Sequence, residues 1–246
     1  MKTILRVLVG SRAHGLADDT SDFDYRGVFV VPTSQILSLK GSQQHTSWAE
    51  GDKAGGGKVE DDTAWEVGHF LRLATHSNPS ILEVFAAPVE EFSLKWGPWL
   101  RSLLPCVWTP QGVKDAFLGY SVNQRKKMLD NKDGRSAKYA CAYLRVLIQA
   151  SVLLRTGLMP VSLVIEGRSV GDPLGPDRYV LNLERSRDVV DVLRRWRTGD
   201  FTPGEVIDTA EFVAERVRER AAKSTQVQDL APVEAFLLDI RKAHLE

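Results

Sequence analysis

The sequence has few cysteines, no excess of charge of either sign and no long apolar run. Cys106 and Cys141 are the only cysteines among 246 residues, too few for a disulfide framework or a zinc site, and we expect both thiols to be buried. Basic and acidic side chains balance at 32 each, so any contact with nucleic acid must use a local patch. No segment reaches the roughly 18 apolar residues of a membrane span, and residues 1–10 lack a leader-like apolar core with a cleavage site. We therefore expect a cytoplasmic protein without a membrane partner.

Short apolar or β-branched runs in the first part of the chain predict β-strands. Their length, and the glycine or proline that follows several of them, are typical of buried strands. A glycine-rich stretch at residues 51–57 is too irregular for a strand or helix and predicts a flexible loop. The predicted strands are residues 4–9, 25–31, 43–48 and 58–62, the first two of which can lie side by side.

Helical periodicity dominates the second part of the chain. It is clearest over residues 136–155, where apolar side chains follow one helix face and Gly157 stands at the expected C-cap. The simplest division is a mixed-sheet domain at residues 1–110 and a helical domain at residues 111–246. We expect an α+β fold with a mixed β-sheet and flanking helices, followed by the helical domain.

A Gly-Ser turn and a pair of aspartates are the chemically informative part of the chain. Gly10 and Ser11 end the first predicted strand, and a helix predicted at residues 11–17 has Ser11 as its N-cap. Asp22 and Asp24 have one residue between them, so on a strand they would share one face and hold a divalent cation. Glycine lets the backbone approach a ligand, and the following amides and the Ser11 hydroxyl can donate to phosphate oxygens.

The combination of turn and aspartates predicts nucleotidyl transfer. That reaction uses one cation to activate an attacking hydroxyl and another to hold the triphosphate, so it needs two or three carboxylates around one point. An Asp-x-Asp pair alone is also typical of a solvated acidic turn. The apolar strand before the Gly-Ser turn and the strand-like run after the aspartates favour the metal site.

These residues resemble the signature of the DNA polymerase β superfamily of nucleotidyltransferases. Within it, the chain is most similar to the RNA repair pathway DNA polymerase β family, a branch found in bacteria and their phages. The resemblance touches most of residues 4–160 and is loose beyond them. The similar segments are GSRAHGLA at 10–17, SDFDYRGVFV at 21–30, DDTAWEV at 61–67, SNPSILE at 77–83, and residues 138–145 and 154–157.

The resemblance implies two Mg²⁺ or Mn²⁺ ions and a third carboxylate from a later strand. Glu60, Asp61 and Asp62 are the candidates. Asp61 is preferred because it precedes Trp65 at the spacing that this branch uses, whereas Asp62 would point to the opposite face of a regular strand. For Asp62 the alternative is an acidic residue that stabilises a helix N-terminus. The predicted catalytic and metal-binding set is therefore Asp22, Asp24 and Asp61.

The resemblance also implies that a lysine of the helical domain closes over the triphosphate, and it assigns this role to Lys138. Arg145 lies two helical turns further along and so on the same face. The alternative is a solvated basic face. Ala142 stands where this branch often has a histidine, so any role of that histidine does not carry over.

Other polar residues near the motifs have two interpretations each. Arg26 would share a face with Asp24 and either pair with a carboxylate or contact a phosphate. Arg12 either reaches the triphosphate or is an ordinary exposed arginine. We expect His14 to be a packing or capping residue, because a metal-activated hydroxyl requires no histidine. Glu83 supports the fold.

A local basic cluster interrupts the neutral composition. It can grip an RNA or DNA backbone, or it can be a solvated face. The cluster consists of Arg125, Lys126 and Lys127, with Lys132 and Arg135 nearby.

The leading hypothesis is a metal-dependent nucleotidyltransferase that moves an NMP from an NTP, such as ATP, to an acceptor hydroxyl and releases pyrophosphate. Gly10, Ser11, Arg12, Arg26, Lys138 and Arg145 form the predicted nucleotide-binding set. The acceptor hydroxyl belongs to an RNA end, a protein or a small molecule. The alternative is a catalytically silent nucleotide- or RNA-binding module, such as a toxin–antitoxin component. A metal-dependent phosphohydrolase fits less well, because the Gly-Ser turn suits a triphosphate.

Overall fold

The computed structural model describes residues 1–19, 21–39, 45–50, 60–162 and 189–246. For residues 45–50, 60–62 and 190 it describes the backbone alone. The predicted glycine-rich loop at residues 51–57 lies outside the described residues. The chain forms two compact units, residues 1–109 with 226–246, and residues 110–225.

A mixed β-sheet forms the centre of the first unit. Its strands are β1 (Lys2–Val9), β2 (Asp24–Val30), β3 (His45–Glu50), β4 (Glu60–Glu66) and β5 (Val89–Phe92), in the order β3-β4-β2-β1-β5. Strands β2 and β4 are parallel, whereas the other neighbours are antiparallel. The structure thus confirms the predicted mixed sheet and the adjacency of the first two strands.

Helices flank the sheet and make up most of the second unit, which completes the predicted α+β class. In chain order they are α1 (Gly10–Ala13), α2 (Thr33–Ile36), α3 (Val67–Thr75), α4 (Pro79–Ala86), α5 (Trp96–Ser102), α6 (Leu104–Val107), α7 (Pro110–Asp130), α8 (Ser136–Thr156), α9 (Val189–Arg197), α10 (Pro203–Lys223) and α11 (Ala231–Ala243).

Local capping explains where two helices of the first unit begin. Asn78 accepts hydrogen bonds from the backbone N–H of Ser80 at 3.0 Å and of Ile81 at 3.3 Å, and Pro79 occupies the first turn, where its missing N–H costs nothing. Helix α4 therefore starts where the Asn-Pro pair predicts. Helix α3 has Glu66 as its N-cap, whose Oε2 accepts the N–H of Gly68 at 2.8 Å.

The C-terminal helix α11 belongs to the first unit, which differs from the predicted helical domain at residues 111–246. Arg241 of α11 forms a buried ion pair with Glu66 at the end of β4, with an N–O distance of 2.7 Å. Phe236 packs edge-on against Trp96 and Trp99, with ring centroids 5.9 and 5.2 Å apart. The surface that covers the apolar side chains of α11 depends on these long-range contacts.

Helix α8 is the core of the second unit, where it packs against α7, α9 and α10. Gly157 has φ +74° and donates its N–H to the Leu153 carbonyl at 2.8 Å, so the predicted C-cap is confirmed. By length and composition, α8 is the one described helix that could cross a membrane, but most of it is buried by the helices around it. Such burial is typical of a core helix.

The two cysteines are free thiols. Cys141 is buried in α8 as expected, and burial raises the pKa of its thiol to about 11. The expectation of burial is wrong for Cys106, which is partly exposed at the end of the short helix α6. Partial burial, and then the charge of Asp229, raise the pKa of the Cys106 thiol.

The ion pair between Arg241 and Glu66 gives a test of how strongly α11 is held. Arg241→Ala leaves the buried Glu66 carboxylate without its counter-charge, which should lower the free energy of unfolding by about 3 kcal/mol. Lys242→Ala, at the exposed neighbouring position, is the control and should have little effect. Urea denaturation followed by circular dichroism measures both. Equal transition midpoints for the two variants would contradict this role of the ion pair.

Candidate active site

The Gly-Ser turn connects strand β1 to a single helical turn. Gly10 has φ +71° and Gly15 has φ +72°, so left-handed glycines stand at both ends of the turn. The prediction of a helix over residues 11–17 with Ser11 as its N-cap is wrong in both the length of the helix and the identity of the N-cap. Helix α1 covers Gly10–Ala13, and Val9 occupies its N-cap position without a side-chain hydrogen bond. Gly15 reverses the chain direction before a longer helix can form.

Asp24 lies directly against this turn. It is the first residue of β2 and the register partner of Val9 in β1. A Cβ atom on Gly10 would stand 3.0 Å from the carboxyl carbon of Asp24 and would overlap its Oδ2. Only glycine therefore leaves room for the carboxylate, and only glycine adopts this φ without strain. The structure brings together the two halves of the predicted site at this contact.

Asp22 lies outside the strand. Because β2 begins at Asp24, the predicted strand alternation does not relate the two aspartates, and this part of the prediction is wrong. Asp22 is exposed, whereas Ser21 before it is buried. The Ser21 hydroxyl donates to the Asp18 carboxylate and accepts from the Asp18 N–H, both at 3.0 Å. A closed loop therefore precedes the two aspartates.

Arg12 connects the turn to the acidic segment. Its Nε and Nη2 donate to the Ser21 carbonyl at 3.2 and 2.8 Å. Its guanidinium carbon lies 3.9 Å from the centroid of the Phe23 ring. The two groups that hold Arg12 thus stand on either side of Asp22 in the chain.

Phe23 belongs to a column of stacked side chains. Its ring stacks on Tyr25, with centroids 6.4 Å apart and planes 14° apart. The Arg6 guanidinium lies over the other ring, 4.0 Å from the Tyr25 centroid. We call Arg12, Phe23, Tyr25 and Arg6 the arginine–aromatic column. Sequence reasoning did not find it, although the alternation of aromatic and acidic residues at 22–25 is its signal.

Strand β4 places a third acidic position beside Asp24. The parallel register pairs Asp24 with Asp61 and Tyr25 with Asp62. Val9, Asp24 and Asp61 therefore occupy one row of backbone positions across three neighbouring strands. This register agrees with the preference for Asp61 over Asp62.

The donor set and the space at the turn fit a hard divalent cation. Carboxylate oxygens are the ligands that Mg²⁺ and Mn²⁺ prefer, and the absence of a side chain on Gly10 leaves room for the Asp24 carboxylate against the turn. Among the side chains that the structure describes, no group of three or more His, Cys, Asp or Glu forms a metal site. That set does not include the side chain of Asp61, so it does not cover the predicted triad.

His14 and Arg26 both have contacts within the protein, and the assignment of Arg26 to the nucleotide stays a prediction. His14 is buried and its Nε2 contacts the buried Glu83 carboxylate of α4, which suits the packing role expected for both residues. Arg26 donates to the Tyr25 carbonyl at 3.5 Å, and its guanidinium carbon lies 6.0 Å from the Trp65 centroid.

The remaining predicted residues lie in the second unit. Lys138 is exposed on the first turn of α8. Arg145 is half-buried and donates to Gln149 Oε1 at 3.0 Å. Their assignment to the NTP phosphates stays a prediction.

The basic cluster on α7 is partly paired. Arg125 forms an ion pair with Glu211, with an N–O distance of 3.3 Å. Lys127 Nζ lies 5.6 Å from the Tyr139 ring centroid, whereas Lys126 is exposed. The Tyr143 hydroxyl also donates to Glu211, at 3.2 Å; burial, and then the Glu211 charge, raise the pKa of Tyr143 to about 12.

Comparison with known proteins defines the class. The chain belongs to the RNA repair pathway DNA polymerase beta family, whose sequence model matches residues 1–169. It is therefore a nucleotidyltransferase-like protein.

One curated protein and one solved structure were found to be similar to this chain. The chain is 24% identical over 162 residues to an uncharacterized 38.9 kDa protein in the nrdC-mobD intergenic region of Enterobacteria phage T4; the match covers 65% of this chain and 45% of the phage protein. The chain thus spans less than half the length of this curated relative. A solved nucleotidyltransferase-like protein from Exiguobacterium sibiricum 255-15 matches with 11% identity and a TM-score of 0.31, over 98% of this chain and 74% of that one.

The contact between Gly10 and Asp24 can be tested with a matched glycine. Gly134 has φ +68°, close to that of Gly10, but a Cβ there would meet nothing within 4 Å. Gly134→Ala should therefore cost only backbone strain, about 1 kcal/mol. Gly10→Ala adds the overlap with the carboxylate and should cost about 2–4 kcal/mol. Thermal and urea unfolding measure the difference, and equal losses would show that the carboxylate does not pack on Gly10.

Proposed function

We propose that this protein is a metal-dependent nucleotidyltransferase that moves an NMP from an NTP, such as ATP, to an acceptor hydroxyl. One observation carries the proposal: the Asp24 carboxylate packs against Gly10, so an acidic side chain and the Gly10–Ser11 backbone turn meet at one point. Membership of the family supports the same reaction class.

Asp22, Asp24 and Asp61 would hold two Mg²⁺ or Mn²⁺ ions. Asp24 is placed by the turn, and Asp61 is its register partner in β4. Register partners carry their side chains on the same face of a sheet, which is why we assign the third carboxylate to Asp61. Asp22 is exposed two residues before Asp24. When bound, the cations would lower the pKa of the attacking hydroxyl and neutralise the triphosphate.

The Gly10–Ser11 turn would hold the triphosphate. The backbone amide and the hydroxyl of Ser11, which follow Gly10 in the turn, are the donors available to phosphate oxygens. The acceptor oxygen forms a bond to the α-phosphorus while the bond from that phosphorus to the bridging oxygen breaks, and pyrophosphate leaves. The contribution of the protein is mainly positioning and charge neutralisation.

Conservative replacement of Asp24 tests this mechanism. Asp24→Asn keeps the shape of the side chain but removes its charge, so transfer of label from α-labelled NTP should fall at least about 100-fold. Asp239→Asn changes an exposed carboxylate of α11 in the same unit and should leave transfer unchanged. The assay uses each of the four NTPs with RNA, protein and small-molecule acceptors.

Two outcomes would contradict the proposal. If Asp24→Asn transferred the label at an unchanged rate, the Asp24 carboxylate would have no role in the reaction. Calorimetry that shows metal-dependent NTP binding by the unaltered protein, without transfer to any acceptor, would instead identify a catalytically silent nucleotide-binding module.

We propose RNA as the acceptor, bound partly through the basic cluster on α7. The family name and the exposure of Lys126 support this choice. Arg125 contributes less, because its charge is already paired with Glu211.

Replacement of Lys126 and Lys127 together by alanine should weaken binding of single-stranded RNA. The slope of log affinity against log salt should fall by about 1 for each RNA phosphate that the variant no longer neutralises. Lys223→Ala, at an exposed position of α10, is the control. Fluorescence anisotropy over a salt series measures both slopes. Identical slopes for the double variant and the control would place the RNA-binding surface elsewhere.

A further inference from the structure

Arg12 lies in the turn that is proposed to hold phosphate, but its guanidinium is already engaged within the protein. Two of its nitrogens donate to the Ser21 carbonyl, and its guanidinium carbon lies 3.9 Å from the Phe23 ring centroid. Hydrogen bonds from a charged donor and a cation over an aromatic face are among the stronger local interactions. A guanidinium held in this way fixes the segment that it binds.

The segment that Arg12 fixes carries the two aspartates. Ser21 and Phe23 are the chain neighbours of Asp22, and Phe23 is also the neighbour of Asp24. The Phe23 ring is held further by Tyr25, which in turn packs beneath Arg6 of β1. The arginine–aromatic column therefore fixes the backbone from which both carboxylates project, including the part that precedes β2 and lies outside the sheet.

We infer that Arg12 is a positioning residue that holds Asp22 and Asp24 in the geometry needed to bind cations, and that it is not a ligand of the NTP phosphates. This inference rests on the proposed nucleotidyl transfer. In this role the Arg12 guanidinium affects metal affinity indirectly. The Phe23 ring has the same indirect effect, and it cannot act through phosphate because it has no group that binds phosphate.

Lysine cannot replace arginine in this role. Its ammonium group keeps the positive charge, but it lacks the planar group whose two N–H donors reach one carbonyl oxygen while its face lies over a ring. A phosphate ligand, in contrast, retains much of its effect as lysine because the charge is kept. Arg12→Lys therefore separates positioning from direct phosphate binding, and Phe23→Leu removes the stacking partner without a change of charge.

The first measurement is amide hydrogen exchange over residues 21–25 in the metal-free protein. Arg12→Lys and Phe23→Leu should each accelerate exchange in this segment by about tenfold. Arg194→Ala, at an exposed position of α9, is the control and should not change it. Unchanged exchange in both test variants would overturn the inference, whatever reaction the protein catalyses.

The second measurement is Mn²⁺ binding followed by electron paramagnetic resonance, with Asp24→Asn as the reference for loss of a ligand. Arg12→Lys and Phe23→Leu should both raise the apparent Kd for Mn²⁺ by about tenfold. At saturating metal, kcat should recover in part while the KM for NTP stays within about twofold. Circular dichroism verifies that both variants fold, and Arg12→Ala is added as the full truncation.

The outcomes separate the inference from the proposed function. If the unaltered protein and Asp24→Asn bind Mn²⁺ equally, the proposed cation site fails, and the inference fails with it. If Asp24→Asn has a weakened affinity for Mn²⁺ but Arg12→Lys and Phe23→Leu keep the affinity of the unaltered protein, the cation site stands and the inference is wrong. A third outcome would identify Arg12 as a phosphate ligand. In that case Arg12→Ala raises the KM for NTP strongly, whereas Arg12→Lys and Phe23→Leu keep a KM close to that of the unaltered protein.

Discussion

The contact between the Asp24 carboxylate and the Cα atom of Gly10 is the constraint on which the candidate site depends. It requires a residue without a side chain and with a left-handed backbone, and glycine alone meets both conditions without strain. The contact joins the end of β1 to the start of β2. The Gly-Ser turn and a carboxylate thus come together through packing that a single methyl group would prevent.

The order of strands explains why this contact can gather further acidic residues. Because β2 lies between β1 and β4, its first residue has neighbours on both sides, Val9 in β1 and Asp61 in β4. A parallel pair cannot be formed by a tight hairpin, and the chain between β2 and β4 includes the antiparallel edge strand β3. After β3 the chain pairs with β2 again as β4. The acidic start of β4 then lies at the same ends of the strands as the Gly-Ser turn.

The sequence predicts those features that are set by neighbouring residues. Asn78 and Pro79 indicate the start of α4 because both capping interactions are local, and Gly157 indicates the end of α8 for the same reason. The four-residue strand β5 escapes sequence prediction because its side chains are all exposed, which leaves no alternation to detect. The placement of α11 depends on the ion pair between Glu66 and Arg241, residues that are distant in the chain, so local pattern cannot reveal it.

The column also resolves an electrostatic conflict. An arginine beside two aspartates would ordinarily form an ion pair with one of them, and that carboxylate would then have to exchange a guanidinium for a cation before it could bind metal. In this structure the Arg12 charge is stabilised by the Ser21 carbonyl and the Phe23 ring, which are both neutral. Arg12 therefore organises the acidic segment through groups that are not themselves metal ligands. That arrangement is possible because Ser21 and Phe23 flank Asp22 in the chain, so Arg12 fixes the backbone through these neighbours and does not take a carboxylate as its own partner.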